Sequence, residues 1–364
     1  MNYAKGTFGY WWTVVKGNND IAGQIYNGNI DASNSGITSC KGMPEEVTGS
    51  LYLSGCTSLT ALPDRLTVGG SLYLSGCTSL TTLPENLNVG GLLYLSGCTS
   101  LTALPDRLTV GGSLNLSGCT SLTTLPENLN VGGLLDLCDC TSLTKLPNNL
   151  SVKGSLYLSG CTSLTALPDR LTVGGSLYLS GCTSLTTLPE NLNVGGLLDL
   201  SGCTSLTTLP DRLTVGGNIY GEVYRWRGSM WSFFDGVQKE VKSVKKTKEL
   251  TVYKMVDGTF CVYDGEHYSH GATLQEAKDD LIYKHSTRDL SKFKSLTLES
   301  KLTFADAVEL YRSITGACTF GTREFVKSHN ISKRKKYTVA KIIELTNGQY
   351  NSQKLAEFFN NKGE

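Results

Sequence analysis

LYLSGCTSLTALPDRLTVGGS occupies Leu51–Ser71, and LYLSGCTSLTTLPENLNVGGL follows at once as Leu72–Leu92. The second segment restates the first at every Leu, Cys, Pro and Val of Leu51–Val68. Leu72, Tyr73 and Leu74 alternate apolar and amphipathic, the pattern of a strand with one face buried. Cys77, Leu80, Leu83, Leu87 and Val89 then carry apolar side chains through the bends that follow. Pro84 and the pair Gly90-Gly91 mark corners. One such coil has too little interior to bury its own leucines. Coils laid on identical coils bury them jointly, so the repeat predicts a solenoid with one continuous core.

The same register governs eight cysteines: Cys56, Cys77, Cys98, Cys119, Cys140, Cys161, Cys182 and Cys203, at a constant spacing of 21 residues. Their place just after each strand, where the chain turns inward, suits a small apolar thiol with a weak donor. The eight read as a structural, unpaired ladder. Stacked neighbours at strand spacing could be bridged singly, but a whole row could not pair without distortion. The chain holds 12 Cys among 364 residues. Its first stretch, MNYAKGTFGYWWTVVKGNND, has neither the apolar run nor the small-residue cleavage site of a secretory signal. A reducing, cytoplasmic setting is therefore expected, with no membrane association. The 40 Gly recur in register and accompany only 9 Pro, which speaks for turns in a regular structure.

The unit L-x-L-x-x-C-x-x-L-x-x-L-P resembles the leucine-rich repeat, with Cys where Asn often stands. The segment Leu62-Pro63-Asp64-Arg65-Leu66 is similar to the short repeats of bacterial and phage proteins, and L-S-G-C-x-S-L to plant immune receptors. The resemblance spans about residues 37–226. It implies an α/β solenoid, curved, with a parallel β-sheet on the concave face. On this reading residues 1–36, with Tyr10-Trp11-Trp12, form an N-terminal cap. Residues 37–235 form the array, with Gly36-Ile37 to Pro44 a degenerate first repeat. Trp226, Trp231, Phe233 and Phe234 close its far end.

Within each strand one side chain between the two leucines must face outward. Down the array this position reads Tyr52, Tyr73, Tyr94, Asn115, Asp136, Tyr157, Tyr178, Asp199 and Tyr220. A serine file runs beside it, from Ser54 to Ser201, broken by Cys138. Rigid amphipathic rings over small polar residues have the composition of a recognition surface. The same rings stacked at strand spacing also stabilise a sheet without any ligand. The stretch Asn115–Asp139 is the least uniform, since Ser-Gly becomes Cys138-Asp139 there. The alternating Asp64-Arg65 and Glu85-Asn86 pairs read as solvated surface.

After residue 235 the vocabulary changes, and the charge balance turns from mildly acidic to mildly basic. Residues 236–364 are expected to form a small α+β domain. Lys239 to Lys248 reads as a charged, helical connector. ELTVYKMVDGTFCVYDGEHYSHG predicts short antiparallel strands around Asp257-Gly258 and Asp264-Gly265. Thr273 opens a helix with Leu274, Ala277, Leu281 and Ile282 on one face and Glu276 completing a capping box. Further helices are expected at Thr303–Ile314, Thr322–His329, Thr338–Thr346 and Ser352–Asn360. The phrases DGEHYSHG, ITGAC and GTREFV resemble modules at the ends of phage and prophage proteins.

Chemistry in this part has three candidate carriers. Cys261, His267 and His270 are metal-ligand types, with His285 or Cys318 as a fourth, but the spacing fits no familiar zinc pattern. Cys318 to Arg323 is one residue short of a phosphatase Cys-x5-Arg loop. Lys333-Arg334-Lys335-Lys336 precedes two helices split by Asn347-Gly348, a helix-turn-helix spacing with phosphate-binding charge. No catalytic residue, metal or cofactor is assigned. The reading favours a protein-binding module that engages a partner through the concave face, such as a phage or prophage factor that inhibits a host defence protein. It leaves open an enzyme in residues 236–364 with the repeats as a targeting arm, a nucleic-acid-binding regulator, and self-association through the array's ends.

Overall fold

Leu51 pairs with Leu72, Leu72 with Leu93, and so on in parallel register down the array. The computed structural model describes residues 3–234, 237–286, 288–349 and 351–360. It divides into two units, Met1–Gly228 and Ser229–Glu364. The first unit is a β-solenoid with two parallel sheets of 10 strands each. One sheet runs from Ile30–Asp31 to Ile219–Tyr220 and carries the Leu-Tyr dipeptides. The other runs from Ile25–Tyr26 to Thr214–Val215 and is built from Thr-Val and Asn-Val pairs.

The coils are tied by backbone bonds from three alternate residues. Leu72, Leu74 and Gly76 donate to the carbonyls of Leu92, Tyr94 and Ser96 at 2.8, 2.8 and 2.7 Å. The strand ends there because Gly76 adopts φ +74°, a left-handed bend that costs glycine nothing. Between the sheets lie the leucines: Leu72, Leu74, Leu80, Leu87 and Val89 are fully buried, and the other coils repeat this closely. Burial on this scale is the main stabilising term, at about 1.5–3 kcal/mol for each enclosed Leu.

The repeats depart from the expected α/β pattern. Where helices were expected opposite the tyrosine-bearing sheet, a second β-sheet stands. Only Glu85, Asn86 and Leu87 separate Pro84 from the Asn88–Val89 strand, too short a span for a helix between a proline and a β-forming pair. The ends are also redrawn. Ile25–Tyr26 and Ile30–Asp31 already pair with the next coil, so the first coil begins inside the expected cap of residues 1–36. What covers it is Thr7–Val15, where Phe8 is fully buried and its N–H donates to Ser39 at 2.8 Å. At the far end Trp226 donates through Nε1 to the Pro210 carbonyl at 3.1 Å. The expected boundary at 235/236 moves back to 228/229, so Trp231, Phe233 and Phe234 belong to the second unit.

That second unit opens with antiparallel strands at Ser229–Ser232, Lys239–Lys246, Thr251–Met255, Phe260–Tyr263 and Tyr268–Gly271, each paired with the next. The helix Leu274–His285 packs on them through Ala277 and Leu281 against Val262. Its cap is Thr273, whose hydroxyl accepts from the Glu276 N–H at 3.1 Å. Helices Phe304–Thr315, Thr319–Ser328, Val339–Thr346 and Ser352–Asn360 follow. Leu310, Ile314, Val339, Ile342, Leu355 and Phe359 form their core. Two expectations fail here. Lys239–Lys246 is a strand, paired on one side with Ser229–Ser232 and on the other with Thr251–Met255, and only Val241 in it is buried. Ile282 is 69% exposed, since the sheet takes only the Ala277–Leu281 stripe. Among the described residues no helix is long and apolar enough to cross a membrane.

Candidate partner-binding face

The outward file on the Leu-Tyr sheet is continuous. Tyr52 and Tyr73 stack with centroids 4.6 Å apart and planes 5° from parallel, Tyr73 and Tyr94 at 5.0 Å and 9°. Tyr157 and Tyr178 stack at 4.6 Å and 8°. Parallel register with no slip forces this: each ring must stand over the ring one coil earlier. All are half-buried, with one side packed on the neighbouring ring and the outer edge wet. Burial, then the neighbouring Tyr178, raises the pKa of Tyr157.

Between the two tyrosine stacks lies a polar patch. Asn115 donates through Nδ2 to Asp136 Oδ2 at 3.0 Å, bridging two coils. Asn115 Oδ1 accepts from the Ser117 N–H at 2.9 Å and from its hydroxyl, while Asp136 Oδ1 accepts from the Cys138 N–H at 3.0 Å. Ser117 Oγ reaches Ser96 Oγ at 2.9 Å. Asp199 makes the same turn with the Ser201 N–H at 2.9 Å. These side chains are held in place by the backbone next to them, so acceptor oxygens are presented in a fixed array. Cys138 stands half-buried in the serine file, its thiol pushed up to about 12 by burial and then by Asp136. A surface thiol held neutral is a weak nucleophile.

One member of the file escaped the sequence reading. Asp31 pairs with Tyr52 and extends the row by one coil, with its carboxylate held below the usual range by the Ser33 N–H. The signal was present, since Asp31 sits one period before Tyr52, but it lay in a segment assigned to the cap.

The ladder of eight thiols lies on the other side of the strands, at zero to 1% exposure. Each thiol donates to the carbonyl of the residue 24 positions back: Cys77 to Leu53 at 3.2 Å, Cys119 to Leu95 at 3.2 Å, Cys203 to Leu179 at 3.1 Å. None is in a disulfide. At the next position down, Tyr224 takes over the role, its hydroxyl donating to Leu200 at 3.0 Å.

The three candidate carriers in the second unit are redistributed. Cys261 and His270 face each other across paired strands, both buried. His267 instead joins His285, and both meet Asp264, which sequence reading had placed only in a turn. Cys318 is the N-cap of Thr319–Ser328, its sulfur accepting from Gly321 N–H at 3.2 Å, and Arg323 is paired with Glu276. The run from Cys318 to Arg323 is thus the first turn of a helix. Lys333–Lys336 is exposed just ahead of the short Tyr337–Thr338 strand. Comparison of the chain with protein-family models, curated proteins and solved structures finds no match.

Proposed function

We propose that the tyrosine-bearing face of the solenoid docks a partner protein. The observation that carries this reading is the file from the exposed Asp31 through half-buried Tyr52 to Tyr220, in which two aromatic stacks flank an Asn115–Asp136 patch of fixed acceptors. Stacked rings lose little freedom on binding, and preordered carboxylates offer direction to donors on the partner. The array is read as a leucine-rich repeat in which this sheet lines the concave side. The mechanism is stoichiometric: the partner is held, and its own surface occluded. The wording of the repeats and of the second unit supports a phage or prophage origin and a host defence protein in the cytoplasm as the target.

The test is capture. The chain and a variant with Tyr73, Tyr94, Tyr157 and Tyr178 changed to Ala are used to retrieve partners from host extract, and the identified partner is then titrated against both. The reading expects affinity to fall by roughly 100-fold or more, as for loss of several hot-spot rings. Equal affinity, with circular dichroism showing an intact fold, overturns it.

A further inference from the structure

The second unit carries a cluster that the partner-binding reading does not use. Asp264 closes the strand Phe260–Tyr263 and opens the turn to Tyr268–Gly271. Its Oδ1 accepts from the N–H groups of Glu266 and His267 at 2.9 and 2.8 Å, which fixes the carboxylate plane. Oδ2 is thereby directed to the last turn of the helix Leu274–His285, where His285 Nε2 stands 2.5 Å away. The His267 ring meets the His285 ring edge-on at a centroid distance of 4.8 Å. One ligand atom from each of the three residues lies within 4.8 Å of the others. His267 Nδ1 is closed off from solvent and has no hydrogen-bond partner, with the Glu266 carboxylate 3.9 Å away. A ring nitrogen hidden from water without a partner is a cost to the fold that a bound cation would offset.

We infer that Asp264, His267 and His285 form a site for a divalent transition-metal ion of the Zn2+ class. Two imidazoles and one carboxylate are a borderline donor set that favours Zn2+ and its neighbours over Ca2+ or Mg2+. Ligand distances of about 2.0–2.2 Å require neighbouring donors roughly 3.3 Å apart. The Asp264–His285 contact must therefore open by about 1 Å, within reach of a half-exposed side chain at a helix end. The backbone N–H groups on Asp264 Oδ1 supply the outer support that holds a ligating carboxylate in orientation. Three protein ligands leave a coordination position for water. The pattern was hidden in the sequence because its members come from one turn and from a helix end 21 residues on.

The experiment uses the full, untagged chain. Titration with Co2+ is followed by visible absorption, then by displacement with Zn2+. One equivalent should bind with d–d absorption and without a thiolate charge-transfer band. His267→Gln and His285→Gln should each weaken binding by roughly ten-fold or more. Asp264→Asn should do the same while keeping the Oδ1 acceptor that shapes the turn. Far-ultraviolet circular dichroism verifies that the variants fold. Should any fail to fold, the imidazole resonances of the unaltered chain decide: on Zn2+ addition two of the 4 His should shift, those of His267 and His285. Substoichiometric binding, a thiolate band, unchanged affinity in the double His267→Gln/His285→Gln variant, or an absence of those two shifts overturns the assignment.

Discussion

Cys119 shows what one residue contributes in every coil. Its thiol is fully buried and donates to the Leu95 carbonyl, which also accepts from the Cys98 N–H at 3.0 Å. Changing Cys119 to Ala removes the donor and leaves a small void. We expect a loss of about 1–3 kcal/mol in urea unfolding, with Cys119→Ser recovering part of it by restoring a donor. Tyr224→Phe tests the end of the same ladder: it keeps the ring and removes the bond to Leu200, for a loss of about 1 kcal/mol. The thiols' burial was legible in the sequence, because a residue repeated at one phase faces one environment. Their acceptors were not, since spacing alone does not reveal which carbonyl of the coil below comes within reach. The tyrosine file was equally legible from alternation. The side-chain hydrogen bonds that order Asn115, Asp136 and Asp199 depend on turn geometry that alternation does not specify.

The coils themselves are not all equivalent. At Gly90 a Cβ would stand 2.2 Å from the Gly69 carbonyl oxygen, and the corresponding glycines repeat this close approach. Lys153 occupies that position in one coil and brings a Cβ with it. There the second sheet is held in register by the single pair Val131↔Val152. The neighbouring bond from Gly154 to the Gly133 carbonyl is 3.2 Å, against 2.8 Å from Gly112 to Gly91. This step is a fault in the stack. Hydrogen exchange should find amides near Val131, Val152 and Gly154 exchanging faster than their equivalents near Val89 and Gly112, and Lys153→Gly should slow them. Equal protection at both steps would contradict this. Val131, one side of the fault, falls inside the irregular stretch Asn115–Asp139, which marked the neighbourhood without giving the cause. The second sheet went unread because the Gly90-Gly91 pair that follows Asn88–Val89 made the segment look like a corner. The strand Lys239–Lys246 was masked because, apart from the buried Val241, it is made mostly of lysines and exposed positions with no apolar alternation.

At the scale of the whole array, the buried thiols whose pKa is raised make stability depend on pH from the alkaline side. Burial pushes Cys77, Cys98, Cys119 and Cys140 from 9.0 up to about 12, and Cys182 to about 11. With the folded pKa above the unfolded one, the folded chain retains protons that the unfolded chain releases. Stability is fully present below pH 9.0 and declines as pH rises toward 12. Each of these five thiols contributes up to about 1.4 kcal/mol per pH unit in that window, so the urea midpoint should hold below about pH 9 and fall steeply above it. A flat midpoint would contradict the ladder's burial as drawn. The central claim is that coil rests on coil and shuts the thiols inside, and the most direct measurement counts reactive sulfurs. The native chain is treated with a maleimide at neutral pH, and the labelled sites are located by mass spectrometry. The account predicts that the eight ladder positions take up label only after denaturant is added. Labelling of Cys77, Cys119 or Cys161 in the native chain at the denatured rate would contradict it.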